Sequence, residues 1–206
     1  MVPNMGCLFL DIESFVDPED ELSGLNPFHK NSKIIVISYN YYHSAKAPEE
    51  PQAKEPNFLF EWESSEKKIL EAFFAELKKW LEKDGMLKII GFNHLAYDLP
   101  FLFHRMNKHK IASEKELFNA LFTSPRHVDL AQIGMAVARA TKHEEDFRCI
   151  SQKTINAQYD IPVKEHDGKI ISTFYLKKDF ERIKTYCKEE FTFEMLYQSL
   201  LQTFLH

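Results

Sequence analysis

Short apolar runs of strand length dominate the first third of the chain. The run at residues 7–10 is followed by Asp11 and Glu13, so that acidic and apolar residues alternate at strand spacing. KIIVISYNYY at 33–42 is rich in β-branched and aromatic residues, and FLFEW at 58–62 is a third apolar run. The pattern predicts three sequential strands, the first of which ends at or just before the acids.

A polar stretch and a helical period separate these strands from the rest of the chain. The stretch at 43–57 has three prolines and no apolar period, which predicts an exposed loop. Ser64 or Ser65 can cap a following helix. The apolar positions of that helix recur at helical spacing, which indicates a buried stripe: Ile69, Leu70, Phe73, Phe74, Leu77, Trp80 and Leu81.

Strands and helices alternate in the second half of the chain, which favours an α/β fold with a mixed sheet covered by helices. MLKIIGF at 86–92 predicts a strand and AYDLPFLFHRM at 96–106 the start of a helix. The remaining predicted elements are a short strand at RHVDL (126–130), a helix over about 131–139, a helix from Ser151, a turn at 165–169 and one long amphipathic segment from Lys178 to about Phe204.

Length and composition predict one globular domain over residues 1–206. The 206 residues are 44% hydrophobic and 14% aromatic, which is enough to form a single sizeable core. The apolar runs are too short to cross a membrane and the N-terminus has no signal-peptide pattern, so we expect a cytoplasmic protein without a membrane partner. The sequence gives no indication of the oligomeric state.

Cysteine usage and charge narrow the function classes. Cys7, Cys149 and Cys187 are widely spaced and form no C-x-x-C pair, which favours reduced core residues over a disulfide framework or a thiolate zinc site. The formal net charge of −5 argues against a passive nucleic-acid binder. A nucleic-acid partner would have to be held by local basic residues or by metal ions.

Three acidic motifs carry the candidate chemistry. Asp11 and Glu13 lie on one face of a strand, where a cation would relieve their repulsion, although two solvated surface acids would give the same pattern. Asp98 is predicted near the start of a helix, where an acid also complements the helix dipole. Tyr186 and Glu190 are four residues apart, so they face the same way on a helix.

The chain contains three short motifs in this order: D-I-E at 11–13, N-x4-D at 93–98 and Y-x3-E at 186–190. With these motifs it resembles the DEDD superfamily of 3'-5' exonucleases, and especially the proofreading exonuclease domains of family B DNA polymerases. The resemblance spans nearly the whole chain. It implies an RNase H-like fold in which three antiparallel strands adjoin two parallel ones. No polymerase motif follows, so we expect a free-standing exonuclease-like protein.

The resemblance also implies a metal-dependent mechanism with two divalent ions, Mg²⁺ or Mn²⁺. Asp11 would bridge both ions, Glu13 and Glu190 would hold the ion that activates water, and Asp98 would support the other ion. Tyr186 would orient the attacking water. Thr185 stands where the histidine subclass has its histidine, so the chain resembles the tyrosine subclass.

The last motif departs from the family pattern, because Glu190 stands where an aspartate is usual. The longer side chain extends the carboxylate by about 1.5 Å, which could displace a Mg²⁺ ion that needs strict octahedral geometry. The neighbouring Glu189 is a fallback ligand, but it points about 100° away on a helix.

Further residues are candidates for substrate contacts. Asn93 is expected to shape the groove, and Phe15 and Phe92 either stack on terminal bases or belong to the core. Arg105, within the basic string at 104–110, and Arg126 are candidate phosphate contacts or ordinary solvated residues. Asp129 is either a helix cap or a residue that supports the site, and the cap is the better interpretation.

The sequence therefore predicts a 3'-5' exonuclease acting on single-stranded DNA. Trimming of RNA 3' ends is the alternative enzyme, since no residue reports on the 2'-hydroxyl. A catalytically weakened module that only binds nucleic acid is the alternative outside the enzymes, and Glu190 is the reason to consider it.

Overall fold

The computed structural model describes residues 5–17, 26, 29–43, 55–142, 151–163, 168 and 170–205. Residues 44–54 of the predicted loop, Cys149 and most of the predicted turn at 165–169 lie outside these ranges. Within the described part of the chain, no helix is both long and apolar enough to cross a membrane.

A five-stranded mixed sheet forms the centre of the fold, in the order β3-β2-β1-β4-β5. The strands are β1 (Met5–Phe15), β2 (Lys33–Tyr42), β3 (Asn57–Phe60), β4 (Met86–Gly91) and β5 (Arg126–Asp129). The first three strands are antiparallel neighbours, while β4 is parallel to β1 and β5 is parallel to β4. This confirms the predicted mixed sheet of three antiparallel and two parallel strands.

Helices cover both faces of the sheet. They are α1 (Glu66–Lys83), α2 (Asp98–Lys108), α3 (Glu114–Phe118), α4 (Leu130–Lys142), α5 (Gln152–Gln158), α6 (Ile170–Leu176), α7 (Phe180–Glu190) and α8 (Phe193–Leu205). Ser65 caps α1 by accepting a hydrogen bond from the Lys68 amide, which agrees with the predicted start of this helix.

Alternation along β1 divides the core between the two faces. Leu8, Leu10 and Ile12 pack with the buried stripe of α1 and with α2 and α3. Cys7 and Phe9, on the other face, pack beneath α4, α5 and α8. A third apolar cluster joins β2 to α6 and α7 on the same side as Cys7 and Phe9. Asp11 and Glu13 continue the Cys7–Phe9 face, so they lie beside α7 and not among the residues of α1.

The strands depart from the sequence prediction in their lengths. β1 continues to Phe15, so the two acids lie inside the strand and not past its end. Pairing with β2 extends over this part of β1, which explains why the strand continues through a polar stretch. The strand predicted at FLFEW also ends earlier than expected: β3 stops at Phe60, and residues Glu61–Glu63 form a 3₁₀ turn.

The C-terminal third also differs from the prediction. The expected single helix is two helices, with a break at Phe191 and Thr192. The Thr192 hydroxyl accepts a hydrogen bond from Asn156 at 2.9 Å, which ties the break to α5. The sequence prediction missed α3 and α6, which have five and seven residues and therefore too few turns to show a clear apolar period.

Candidate active site

The first two acids lie where β1 extends beyond its parallel neighbour. Pairing between β4 and β1 covers only residues Met5 to Phe9 of β1. Asp11 and Glu13 are half-buried and paired in register with Ser38 and Val36 of β2. Their strand is therefore held from one side, while the other side is open to the loop that follows β4.

Asp98 fills that open side. It is the first residue of α2, and its Oδ1 accepts a hydrogen bond of 3.0 Å from the Ile12 amide. Ile12 lies between Asp11 and Glu13 in the strand, so this bond brings the Asp98 carboxylate beside both acids. Pro100 follows as the third residue of α2, where a helix needs no backbone donor.

Burial and neighbouring charge act on the Asp98 carboxyl. Burial raises the pKa of Asp98 well above its usual range, and the charges of Asp129 and Glu190 raise it further. The hydrogen bond from Ile12 opposes this effect because it favours the charged form. A carboxyl in this environment gains from a nearby cation, which would offset both the burial and the repulsion.

Helix α7 supplies the tyrosine and the last acid from the same face of the sheet. Tyr186 is only 3% exposed, and its hydroxyl hydrogen-bonds the Glu190 carboxylate one turn later. Burial raises the pKa of Tyr186 far above its ordinary value, and the charges of Glu13, Glu190 and Asp11 add to the shift. The phenol therefore stays protonated at neutral pH and acts as a hydrogen-bond donor, not as a base.

Cys187 lies beneath the same group of acids. Burial raises the pKa of its thiol, and Glu13, Asp11 and Glu190 raise it further, in that order of strength. The charges of Asp11, Glu13 and Glu190 act on both Tyr186 and Cys187, so these three acids lie close to one another. Asp98 belongs to the same group, because it binds the Ile12 amide and the charge of Glu190 raises its pKa. We call Asp11, Glu13, Asp98 and Glu190 the acidic cluster.

The chemistry of the acidic cluster fits hard divalent cations, which prefer carboxylate oxygens. The geometry is less complete. Among the residues that the structure describes, no three His, Cys, Asp or Glu side chains converge closely enough to hold a metal ion. The carboxylates of the acidic cluster are therefore close together, but no three of them point to one common position for a metal ion.

The loop between β4 and α2 is shaped by Asn93 and Asp129. Asn93 is exposed and has a φ of 59°, a left-handed conformation that asparagine tolerates. Its amide donates to Asp129 Oδ1 at 2.9 Å, and its carbonyl accepts from the Ala96 and Tyr97 amides. Asp129 also accepts from the Ala131 amide at 3.1 Å, so it caps α4 as predicted and in addition supports the loop before Asp98.

Tyr97 is a residue of the site that the sequence prediction missed. Its hydroxyl forms a 2.9 Å hydrogen bond with the hydroxyl of Ser14, which follows Glu13 in β1. Burial raises the pKa of Tyr97 to about 12, and the nearby charges of Asp98, Glu13 and Asp11 contribute. Its position immediately before Asp98 was a usable signal, but half-buried tyrosines are common at helix starts and the residue had no distinguishing spacing.

Arg105 is buried in an ion pair, so its position does not favour the predicted phosphate contact. The residue is 4% exposed, and its guanidinium binds Glu66 through Nε at 2.7 Å and Nη2 at 2.5 Å. Glu66 also accepts hydrogen bonds from the Ile34 amide and from His109. The basic string at 104–110 therefore contributes a buried ion pair that joins α2 to α1 and β2, and only part of it faces solvent.

The other predicted substrate contacts have mixed positions. Arg126 is exposed, but it begins β5 and pairs with Lys88, about 10 Å of strand before Asp129. Phe92 packs against the core under α4 and α8, and the Phe15 ring lies 5.2 Å from that of Tyr175. Both phenylalanines are half-buried, so core packing accounts for one side of each ring. The structure does not bring Arg126 to the acidic cluster.

Comparison with known proteins gives a match in structure alone. No protein-family model matches the sequence, and neither does any curated protein sequence. Among solved structures, exonuclease I is similar with a TM-score of 0.56 and 12% identity over 97% of this chain. A zinc-bound complex of E. coli exonuclease I with single-stranded DNA has a TM-score of 0.54 and 10% identity over 98% of this chain.

These matches establish the fold. The chain has the RNase H-like architecture of exonuclease I, with the mixed five-stranded sheet and helices on both faces. It spans 41% of the length of either exonuclease I chain. Identities of 10 to 12% are too low to transfer an activity. The resemblance to polymerase proofreading domains stays a prediction.

Proposed function

We propose that this protein is a metal-dependent 3'-5' exonuclease that hydrolyses single-stranded DNA from its 3' end. The observation that carries the proposal is the hydrogen bond from the Ile12 amide to the Asp98 carboxylate, because Ile12 lies between Asp11 and Glu13. Tyr186 and Glu190 of α7 lie close to the same acids. Residues from three distant motifs thus meet at one end of the central strand, in a sheet of the exonuclease I type. A purely structural role would not need four carboxylates in one place, since like charges repel.

The acidic cluster would hold two divalent cations, Mg²⁺ or Mn²⁺. Asp11 would contribute to both sites, Glu13 and Glu190 to one, and Asp98 to the other. Such ions supply an activated water and stabilise the leaving oxygen in phosphodiester hydrolysis.

The protein's own groups orient the reaction in this proposal. The protonated Tyr186 hydroxyl would donate a hydrogen bond at the cluster and position the attacking water, and a metal-bound water needs no strong base. Asn93 lies exposed at the rim, where its amide side chain can contact the terminal nucleotide.

The preference for single-stranded DNA is supported by the exonuclease I complex with single-stranded DNA, which shares this fold. Within the part of the chain that the structure describes, no side chain distinguishes deoxyribose from ribose. RNA trimming therefore stays the alternative enzyme. The net charge of −5 agrees with binding through metal ions more than through a basic surface.

The test is a cleavage assay with strands labelled at either end. Single-stranded DNA, duplex DNA and single-stranded RNA of one sequence are incubated with Mg²⁺ or Mn²⁺. We expect stepwise shortening of 5'-labelled single-stranded DNA, early release of the label from 3'-labelled strands, and slower loss of the duplex. Faster degradation of RNA would support the alternative enzyme, and cleavage in EDTA would contradict the metal dependence.

A second candidate function is a nucleic-acid-binding module that has lost catalysis. Two observations favour it: Glu190 replaces the usual aspartate, and no three potential ligands converge in the described residues. The same assay separates the two functions if binding is measured in parallel. Tight binding of the oligonucleotide without cleavage in either metal would support the module.

A further inference from the structure

Asp129 is buried at the end of β5, where its carboxylate accepts three backbone hydrogen bonds. Oδ1 accepts from the Asn93 amide at 2.9 Å and from the Ala131 amide at 3.1 Å, and Oδ2 accepts from the Leu95 amide at 3.2 Å. The residue is 5% exposed. Capping α4 requires only the bond from Ala131, so two of the three bonds serve a different segment, the turn at 93–95.

The imidazole of His94 closes this arrangement from below. It is fully buried, its Nδ1 lies 3.8 Å from Asp129 Oδ2, and its Nε2 is 3.4 Å from Nδ1 of His127. Burial lowers the pKa of His94 to about 4, so the ring is neutral at pH 7, and the three backbone amides are the hydrogen-bond donors to Asp129. Gly91 makes room for the ring, because a Cβ there would lie 2.9 Å from the Cβ of His94.

The turn held by Asp129 leads directly to Asp98. The Asn93 carbonyl accepts from the Ala96 and Tyr97 amides, and the His94 carbonyl accepts from the Leu99 amide in the first turn of α2. The left-handed Asn93 reverses the chain at the start of this path. The position of the first turn of α2, and with it the Asp98 carboxylate, thus depends on the conformation that Asp129 stabilises.

We propose that Asp129 is a positioning residue for Asp98: its carboxylate locks the turn at 93–95 and so holds Asp98 on the Ile12 amide beside Asp11 and Glu13. The inference rests on the proposed nuclease function for its catalytic consequence, but the positional claim is independent of activity. It goes beyond a helix cap, because a cap of α4 alone would have no effect on the carboxylate at the start of α2.

The test compares Asp129→Asn with a control that removes an ordinary helix cap, Ser65→Ala at the start of α1. Asparagine has nearly the same shape as aspartate, but one of its two terminal groups is an NH₂ donor. That group would face a backbone N–H donor, so asparagine cannot accept all three hydrogen bonds. Hydrogen exchange of the Ile12 amide, measured by NMR, reports directly whether Asp98 stays in place. The Mn²⁺ concentration for half-maximal cleavage and the values of kcat and KM report the consequence.

We expect Asp129→Asn to accelerate exchange of the Ile12 amide about tenfold, as for the loss of a charge-assisted hydrogen bond. It should also raise the half-maximal Mn²⁺ concentration and lower kcat, with KM for the oligonucleotide unchanged. Ser65→Ala should lower the melting temperature and leave these quantities as in the wild type. Exchange of the Ile12 amide that matches the wild type in Asp129→Asn would overturn the proposal. Faster exchange with wild-type kinetics and Mn²⁺ dependence would support the positional claim and overturn its catalytic consequence.

Failure of the proposed function gives a different result. A wild type that cleaves no substrate contradicts the nuclease, and the exchange of the Ile12 amide then decides the positional claim alone. In that case faster exchange in Asp129→Asn supports the link from Asp129 to Asp98, and unchanged exchange overturns it.

Discussion

At the scale of single residues, Glu190 decides between an enzyme and a binding module. Glu190→Ala should remove the cluster's carboxylate on α7 and nearly abolish cleavage, whereas Glu190→Asp should retain substantial activity because charge and ligand type are preserved. Mn²⁺ should support the wild type at least as well as Mg²⁺, since Mg²⁺ demands stricter octahedral geometry. Rates for the three proteins are measured over a titration of each metal.

The neighbouring Glu189 provides the matched control for this series. It is exposed, and Glu189→Gln should cleave like the wild type. Cleavage by Glu190→Ala at the wild-type rate would show that Glu190 is not a ligand. A wild type that binds single strands without cleaving them, together with activity gained in Glu190→Asp, would assign the chain to the binding modules.

Tyr186→Phe tests the role of the phenol. The ring stays in the core and the acidic cluster is unchanged, so the oligonucleotide and the metal should still bind. Loss of the donor should lower kcat by about 100- to 10,000-fold, the range for a group that handles or positions a proton. Single-turnover rates measure the step directly, and an unchanged rate would remove Tyr186 from the mechanism.

The sequence was enough to select the candidate residues, but not to predict the contacts between them. The spacing of Tyr186 and Glu190 predicted that they share a helix face, and they do. Nothing in the spacing could reveal that Asp98 would accept from the Ile12 amide, because that bond joins residues 86 positions apart. The ion pair of Arg105 could not be predicted for a related reason: its partner Glu66 lies 39 positions earlier, on another helix.

At the scale of the elements, the buried pair of Glu66 and Arg105 joins α1 to α2. Arg105→Ala should lower the free energy of unfolding by about 3 to 5 kcal/mol, because it leaves a buried carboxylate without its main partner. The exposed Lys108→Ala, one turn later on α2, is the control and should have little effect. Urea denaturation measures both, and a stable Arg105→Ala with weaker oligonucleotide binding would restore the phosphate-contact interpretation.

Acidification should weaken the same junction. Burial alone would raise the pKa of Glu66, but hydrogen bonds from Arg105, the Ile34 amide and His109 outweigh it and hold the pKa below the ordinary value of 4.5. Since the pKa is lower in the folded than in the unfolded state, the stabilisation is complete above pH 4.5 and is lost as the pH falls through the folded value.

The measurement is the difference in the free energy of unfolding between the wild type and Glu66→Gln from pH 7 to pH 3. This difference should be largest at neutral pH and shrink below pH 4.5. Glu71→Gln, which removes an exposed i,i+4 pair with Lys67, is the control and should differ little from the wild type at any pH. A Glu66→Gln difference that is constant with pH would contradict the assignment.

Element types were predictable where the apolar period was long, as in β1, β2 and α1. Element ends were set by tertiary contacts that no local pattern reports. β1 continues through its acids to Phe15, where β2 pairs with it, and the C-terminal helix breaks at Thr192, whose hydroxyl accepts a hydrogen bond from α5. Stretches as short as α6 contain fewer than two full apolar repeats, so their helical character could not be separated from a loop.

At the scale of the whole molecule, the order of the strands brings the three motifs together. β1 is central in the sheet, so Asp11 and Glu13 have neighbours on both sides: β2 on one and the loop after β4 on the other. α7 packs over the face on which the acids lie. This strand order thus provides one location where the four carboxylates of the acidic cluster approach one another.

The most direct test of the acidic cluster is the Mn²⁺-dependent cleavage of single-stranded DNA by Asp11→Asn, measured together with its thermal unfolding. Asp11 is the residue proposed to contribute to both cation sites. We predict cleavage below detection and a melting temperature equal to or above that of the wild type, because the substitution removes repulsion between carboxylates. A folded Asp11→Asn that cleaves at the wild-type rate would contradict the proposed active site.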